Sequence, residues 1–380
     1  MSATTAPAVA RLLTAAGDLT APGAVGPDLV ARLAATGALG AMVPAEHGGA
    51  ALTHARYGQL HRVVAARSAS LQSLMTVHGM VCHALTRSSR PELQALLPEL
   101  ARGELIAAFA LSEQEAGSDI RTITTTARDT GDGWVLNGRK KWITFGAHAD
   151  VFLVFAQADG KDVAILLRRD DPGVHVHPGP PMSGLRDAMP AELELRDCMV
   201  PAGRLLARPG TALTMIAGPA LTLGRLSVAY GAWGVAEAAC DAALARAVDR
   251  HQFGAPLHRL QLVRGLLSDA VVATEGAGLL CERAAEALDR DDEWATGEVL
   301  TAKLAASRAA TTAATVAAQL HGAEGLVAGS AVDRLVGDAR VMEVIEGSTQ
   351  LLQHLVAEQA LARFRHRRAT DRDDEKEDDR

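Results

Sequence analysis

The constraint that most limits the fold of this 380-residue chain is a switch of apolar period. Between Trp134 and Arg196 apolar residues alternate in short runs, whereas on both sides they recur at three- and four-residue steps. Trp134–Leu136, Arg139–Thr144, Val151–Gln157, Val163–Leu167, Val174–His177 and Glu192–Arg196 read as short strands. Asn137-Gly138 predicts a hairpin turn, because both residue types tolerate positive φ. Gly, Pro and Asp punctuate the rest, which suggests a compact antiparallel β domain.

Helices are expected on either side. Before Phe109, Pro7 and Pro27 each open an apolar-periodic segment, and helices are predicted at 53–68, 70–86 and 90–102. After residue 208 the pattern predicts Ala-rich helices at 209–250, 258–290, 293–319, 330–340 and 348–365, with breaks short enough for an antiparallel bundle. The chain divides into a helical domain (1–108), a β domain (109–207), a bundle (208–366) and a charged, disordered tail (367–380).

Composition narrows the functions. Hydrophobic content is 48% and charged content 22%, ordinary for a globular protein. Of the net charge of −7, the last ten residues carry −4, so the body holds no strong field for nucleic acid. Cys82, Cys198, Cys240 and Cys281 form no CxxC pair and read as reduced thiols in a cytoplasmic protein. No metal motif, signal peptide or membrane-spanning run is evident.

Four segments could carry chemistry. Phe109–Asp119 (FALSEQEAGSD) offers small residues and hydroxyls around Gly117 and Ser118, suited to a ligand or simply to a capped turn. Lys141-Trp142-Ile143-Thr144 sets a Trp beside a hydroxyl, which could cover a flat ring or pack on the helical domain. Asp249–Leu257 followed by Gln261 joins two helices; an Arg and a Gln there could hold a pyrophosphate, or Arg250 could cap its own helix. Val344–Gln350 (VIEGSTQ) sets Glu346 before a Gly, then a candidate N-cap, Ser348 or Thr349. An acid there also complements the helix dipole and needs no further role.

The ordered set is more specific than any part. The Ser-Glu-x-x-Ala-Gly-Ser-Asp loop, Trp-Ile-Thr, Arg-x-x-Phe-Gly with Gln261, Gln319 to Gly322, and Asp338-Ala339-Arg340 ahead of Glu346-Gly347-Ser348 resemble the acyl-CoA dehydrogenase family over nearly the whole chain. Pro44–Gly49 is also similar to a loop of that family. The resemblance implies an N-terminal helical domain, a middle β domain and a C-terminal four-helix bundle with FAD between β domain and bundle. It implies that Phe109, Leu111, Ser112, Gly117 and Ser118 line the flavin and its chain, and that Trp142 and Thr144 flank the isoalloxazine ring. Arg250, Phe253, Gln261, Gln319 and Gly322 would meet the FAD of a neighbouring subunit, making a homodimer or homotetramer necessary. Ser348 and Gln350 would meet the adenosine-diphosphate end. Glu346 matches the family's base; the alternative position, before Arg225, is Gly224. Ser118, Arg225 and Ile345 would contact substrate.

The chain departs from the common pattern at Leu223, Ile345, Glu113-Gln114-Glu115 and Ala323. Segments 70–76, 223–229 and 342–348 resemble acyl carrier protein-linked members that serve polyketide extender units of the hydroxymalonyl, methoxymalonyl or aminomalonyl kind. The expected function is FAD-dependent dehydrogenation of a short acyl thioester on an acyl carrier protein, with a separate electron acceptor. An ordinary short-chain acyl-CoA dehydrogenase, a flavin oxidase or monooxygenase, and a non-catalytic carrier-binding protein are the alternatives.

Overall fold

A computed structural model describes residue 14 and residues 25–378, with side chains through residue 370. The helix expected after Pro7 lies outside the described residues. The N-terminal part holds α1 (Pro27–Ala35), α2 (His54–Arg67), α3 (Ala69–Thr86), α4 (Pro91–Gln94) and α5 (Leu97–Arg102). Pro27 occupies the first turn of α1, where its missing N–H costs nothing. Ser68 ends α2 and caps α3, its hydroxyl accepting from Leu71 N at 3.2 Å. The single helix expected at 90–102 is two short ones, because Pro98 can start a helix but cannot continue one.

The middle part is a curled seven-stranded sheet: β1 (Ala107–Ala110), β2 (Thr126–Asp129), β3 (Gly133–Ile143), β4 (Val151–Ala158), β5 (Lys161–Arg168), β6 (Val174–Pro178) and β7 (Ala191–Pro201). The order is β1-β4-β2-β3-β7-β6, with β5 on β4. Most pairings are antiparallel, but β1 runs parallel to β4, and β2 meets β4 in parallel at Thr126 and Gln157. Neither β1 nor β2 was visible as an alternating run.

The hairpin expected at Asn137-Gly138 is not there. β3 runs straight through both residues and pairs with β7 on either side of them. The register slips by one between Leu136 and Gly138, with Asp197 at φ 46° opposite. Asn137 spans this bulge: its amide donates to Asp197 Oδ1 at 3.0 Å, and its Oδ1 accepts from Asp197 N at 2.8 Å. The actual β2–β3 turn holds Gly131 at φ 86°. Turn and bulge draw on the same residue types, so the local signal was real and its assignment wrong.

The C-terminal part holds α6 (Gly218–Asp249), the small ribbon β8 (His251–Gln252) and β9 (Ala255–Pro256), then α7 (Gln261–Asp289), α8 (Ala295–His321), α9 (Ala331–Met342) and α10 (Thr349–Asp378). A π-helical turn, Leu213–Ala217, leads into α6 in place of the α-helix expected from 209. The tail expected to be disordered from 367 continues α10 to Asp378; the segment contains no Gly or Pro and is rich in good helix formers.

Small residues let these helices approach. The Cβ of an alanine at Gly234 of α6 would sit 2.2 Å from the Arg62 carbonyl oxygen of α2. Tyr57, Leu60, Val64, Leu71, Leu74, Leu226 and Tyr230 bury together at this crossing and join the N-terminal helices to the bundle in one core. The β domain docks through Asp338 of α9, whose Oδ1 accepts from Leu185 N at 2.8 Å, and through an Arg186–Asp333 pair at 2.7 Å. Gly234→Ala should lower unfolding free energy by about 1–3 kcal/mol through overpacking, measured by urea denaturation against the wild type.

Candidate active site

Glu346 sits in a turn between α9 and α10 that the chain closes tightly. Thr349 N donates to Glu343 O at 3.1 Å, and Ser348 caps α10, its hydroxyl accepting from Leu351 N at 3.4 Å. Of the two candidate caps, Ser348 is the one used. Gly347 lies at φ 106° and Glu346 itself at φ 53°. A left-handed Glu costs about 1–3 kcal/mol and persists only where its surroundings hold it.

Three side chains from the bundle supply that hold. Arg225 Nε of α6 donates to Glu346 O at 3.1 Å. Lys303 Nζ of α8 donates to Gly347 O at 2.7 Å, and Ser307 Oγ, one turn on, shares its proton between Lys303 O at 2.7 Å and Met342 O at 3.1 Å. Lys303 is fully buried, and burial lowers it from its ordinary 10.5 to about 8, partly offset by Glu346. Sequence reasoning missed Lys303 and Ser307. The signal was a Lys and a Ser four apart on the core-facing side of an Ala-rich helix.

The turn aims the carboxylate inward. Glu346 as a residue is half-buried, yet its Oε2 is buried and has no hydrogen-bond partner. Gly224 makes the space: a Cβ there would lie 2.9 Å from Glu346 Oε2 and 2.7 Å from Met80 Sδ of α3. Burial raises the Glu346 carboxyl above its ordinary value, with Arg225 and Lys303 opposing. Among the described residues, the Glu346 N–H makes no hydrogen bond. A buried carboxylate, a free N–H and two fixed cations thus share one corner. This arrangement can accept a proton and stabilise negative charge on a neighbouring oxygen. Ile345 and Ser348 flank it.

A second group forms around β3. Lys141 N donates to Ser112 O at 2.9 Å, tying the 109–118 loop to the strand. The β3–β7 register slips again between Lys140 and Ile143, and Trp142 sits in this bulge at φ 60°, half-exposed. The loop hangs on Glu113. Its carboxylate accepts from Lys140 Nζ at 2.6 Å, from the backbone N–H of Thr124 and Thr125, and from both threonine hydroxyls. Burial works against its charge, but these donors outweigh it and hold Glu113 at about 2. Such a carboxylate is structural.

The loop and strand fit a flavin. Among the described residues the hydroxyls of Ser112, Ser118 and Thr144 hydrogen-bond to nothing, Gly117 has open space at its Cβ position, and the Trp142 ring is half-uncovered. Phe109 and Leu111 lie largely inside, packed with the core beneath. These groups can cover a ring and bind its edge.

A third group lies elsewhere. Arg250, Phe253, Gln261, Gln319 and Gly322 are all exposed, at the end of the bundle where Arg246 of α6 reaches Leu320 O and His321 O of α8. Gln319 is 16 residues along α8 from Lys303, roughly 24 Å at 1.5 Å per residue. These residues therefore do not join the Glu346 corner of their own chain.

A helical front, a curled sheet carrying a hydroxyl-rich loop, and a bundle presenting one buried acid define an FAD-dependent acyl-thioester oxidoreductase. Family models for the N-terminal, middle and C-terminal domains of acyl-CoA dehydrogenases match residues 4–104, 108–198 and 214–361, and the chain belongs to the acyl-CoA dehydrogenase family. The mitochondrial short-chain specific acyl-CoA dehydrogenase of Rattus norvegicus is 36% identical over 343 residues, covering 88% of this chain and 83% of that one. Among solved structures, FkbI, for biosynthesis of the methoxymalonyl extender unit of the FK520 polyketide, is 37% identical with TM-score 0.83, covering 94% of this chain and 99% of its own. The prolyl acyl carrier protein oxidase AnaB is 25% identical with TM-score 0.88, covering 94% and 99%. Among the described residues no helix is long and apolar enough to cross a membrane.

Lys140→Met should leave Glu113 buried without its cation and cost about 3–5 kcal/mol. The pH dependence has a definite sign. Glu113 falls from 4.5 to about 2 on folding, so its stabilisation is present above the ordinary carboxylate range and lost as pH drops towards 2. The acid-side loss of stability between about pH 4.5 and 2 should be shallower in the variant, measured by denaturant unfolding across pH.

Proposed function

We propose that this enzyme dehydrogenates a short acyl thioester, with Glu346 removing the α-proton, and that the acyl group is carried on an acyl carrier protein for a polyketide extender unit. The observation that carries the base assignment is the buried, unpartnered Glu346 Oε2 facing Gly224. A carboxyl raised by burial is closer to working pH than a free one, and a positioned base contributes about 10²–10⁴ in rate. The free Glu346 N–H lies beside the base, suited to receive the thioester oxygen as charge develops; one such donor is worth about 10²–10³. Arg225, through the Glu346 carbonyl, and Lys303, through Gly347, keep both groups in place. FAD, when bound, accepts the hydride from the β-carbon.

The same reading assigns Phe109, Leu111, Ser112, Gly117, Ser118, Trp142 and Thr144 to the flavin of their own subunit, and Ser348 and Gln350 to its adenosine-diphosphate end. Arg250, Phe253, Gln261, Gln319 and Gly322 serve the flavin of a second copy. Their exposure, and their distance along α8 from the base, support that division. Likeness to FkbI and AnaB, together with Leu223 and Ile345 at divergent positions, favours a carrier protein over free coenzyme A. The likeness to a short-chain acyl-CoA dehydrogenase keeps coenzyme A thioesters as the second reading.

Glu346→Gln should retain FAD and lose anaerobic flavin bleaching by substrate; bleaching at near wild-type rate rules out the base. The wild-type rate should fall on the acid side as Glu346 protonates. Lys303→Met removes a cation that favours the carboxylate, so the acid limb should move to higher pH, read from rate–pH profiles. Arg250→Ala should release FAD on dilution more readily than wild type, measured by flavin fluorescence in the filtrate.

A further inference from the structure

The connection between β6 and β7 joins two parts of the site that no other contact joins. Residues 183–189 leave the β domain and lie on α9 with backbones touching. An added Cβ at Gly184 would run into Gly337 O, and one at Gly337 would run into Ser183 O. Phe145, Leu185 and Ala188 belong to the β domain by sequence, yet they bury in the helical core that holds Leu335, Ala339 and Met342 of α9. Ile345, beside the base, packs against the same core.

Three hydrogen bonds fix this loop. Leu185 N donates to Asp338 Oδ1 at 2.8 Å, Asp187 N to Ser70 Oγ of α3 at 3.2 Å, and Phe145 N to Ala188 O at 2.8 Å. Arg334 Nη1 donates to the other Asp338 oxygen at 3.1 Å, so a buried carboxylate is held on both sides. Phe145 and Leu185 stand at φ 55° and 48°, conformations that a residue with a Cβ keeps only where its surroundings impose them. Asp338 constrains Leu185 directly and Phe145 through Ala188. Phe145 follows Trp142-Ile143-Thr144, the segment assigned to the flavin ring. A continuous path thus runs from that segment through Ala188 and Leu185 to Asp338, and along α9 to the Glu346 turn. It is separate from the hold on the Glu346 turn itself, which comes from Arg225, Lys303 and Ser307.

We propose that Asp338 is a positioning residue for the reaction. By anchoring the 183–189 loop it fixes the Trp142–Phe145 segment relative to the Glu346 turn, and so aligns the flavin side of the site with the base side. This rests on Glu346 as the base and on Trp142 and Thr144 as flavin contacts. Dehydrogenation needs both sides of one substrate aligned at once, and a misplacement of about 1 Å can cost about 100-fold in rate.

The test separates proton removal from hydride transfer. A (methylthio)acetyl thioester has sulfur in place of the β-carbon, so it can lose an α-proton but has no β-hydride to give. Its α-proton exchange into D2O, followed by NMR, reads the base alone. Anaerobic bleaching by a butanoyl thioester, expressed per bound flavin, reads base and flavin together. Both acyl groups are presented on coenzyme A and on a phosphopantetheinylated carrier protein. Asp338→Ala should slow bleaching about 10- to 100-fold while exchange stays within about threefold of wild type. Asp338→Asn keeps an acceptor for the Leu185 N–H and should restore most of the bleaching rate. Asp333→Ala breaks only the exposed pair with Arg186 and should leave that rate unchanged. Amide hydrogen–deuterium exchange, in the holoenzyme and after FAD removal, should speed up at 143–147 and 184–188 in Asp338→Ala and stay unchanged at 343–349. If Asp338→Ala gives no folded holoenzyme, Gly337→Ala, which pushes the loop off α9 with Asp338 intact, carries the same readings. Three results overturn the inference and leave the dehydrogenase reading standing: bleaching per bound flavin at the wild-type rate in the Ala variant, equal losses of exchange and bleaching, or an Asn variant no better than the Ala variant. A wild type that neither bleaches nor exchanges on either carrier overturns the dehydrogenase reading and this inference with it.

Discussion

The arrangement depends on two cations and a hydroxyl holding backbone carbonyls. Arg225, Lys303 and Ser307 take the carbonyls of Glu346, Gly347 and Met342, and so hold a turn whose central residue would not adopt a left-handed conformation unaided. A buried Lys is costly unless its protons are used, and here its bonded partner is a peptide oxygen, with no carboxylate among its hydrogen bonds. Its charge is therefore left to act on the Glu346 carboxylate. Position and electrostatics of the acid come from the same contacts.

Small residues make those contacts possible. Only 3% of residues are aromatic, and the helices gain proximity in place of bulk. Gly224 admits the carboxylate, Gly231 admits the Gln72 amide, and Gly234 lets α2 lie against α6. Dispersion between closely approaching backbones replaces part of what large side chains would bury. The site is consequently intolerant of added volume on α6, since one methyl group there meets the acid, the Gln72 amide or the Arg62 carbonyl.

The sheet uses irregularity in the same way. Two register slips mark β3, one bridged by Asn137 and the other holding Trp142 beside the loop tie at Lys141. The second turns an indole outward beside free hydroxyls, while the saturated Glu113 keeps the loop behind it rigid. The two acids thus have opposite roles: Glu113 is satisfied by five donors, and Glu346 Oε2 by none.

By itself the sequence determined the helix–sheet–helix order, most element boundaries, the capped turn at Glu346-Gly347-Ser348 and the family motifs, because period, capping and turn chemistry are local. The tertiary structure decided that Asn137-Gly138 is a bulge, since only pairing with β7 separates a bulge from a turn. It also decided that β1 is a strand, since four residues show no period and owe their conformation to β4. Lys303 and Ser307 became part of the site only when α8 packed beneath a turn some forty residues away. Tyr57 became buried only when α2, α3 and α6 closed around it. Contacts between segments far apart in the chain leave no local pattern, and burial, which sets the protonation of Glu346, exists only after they form.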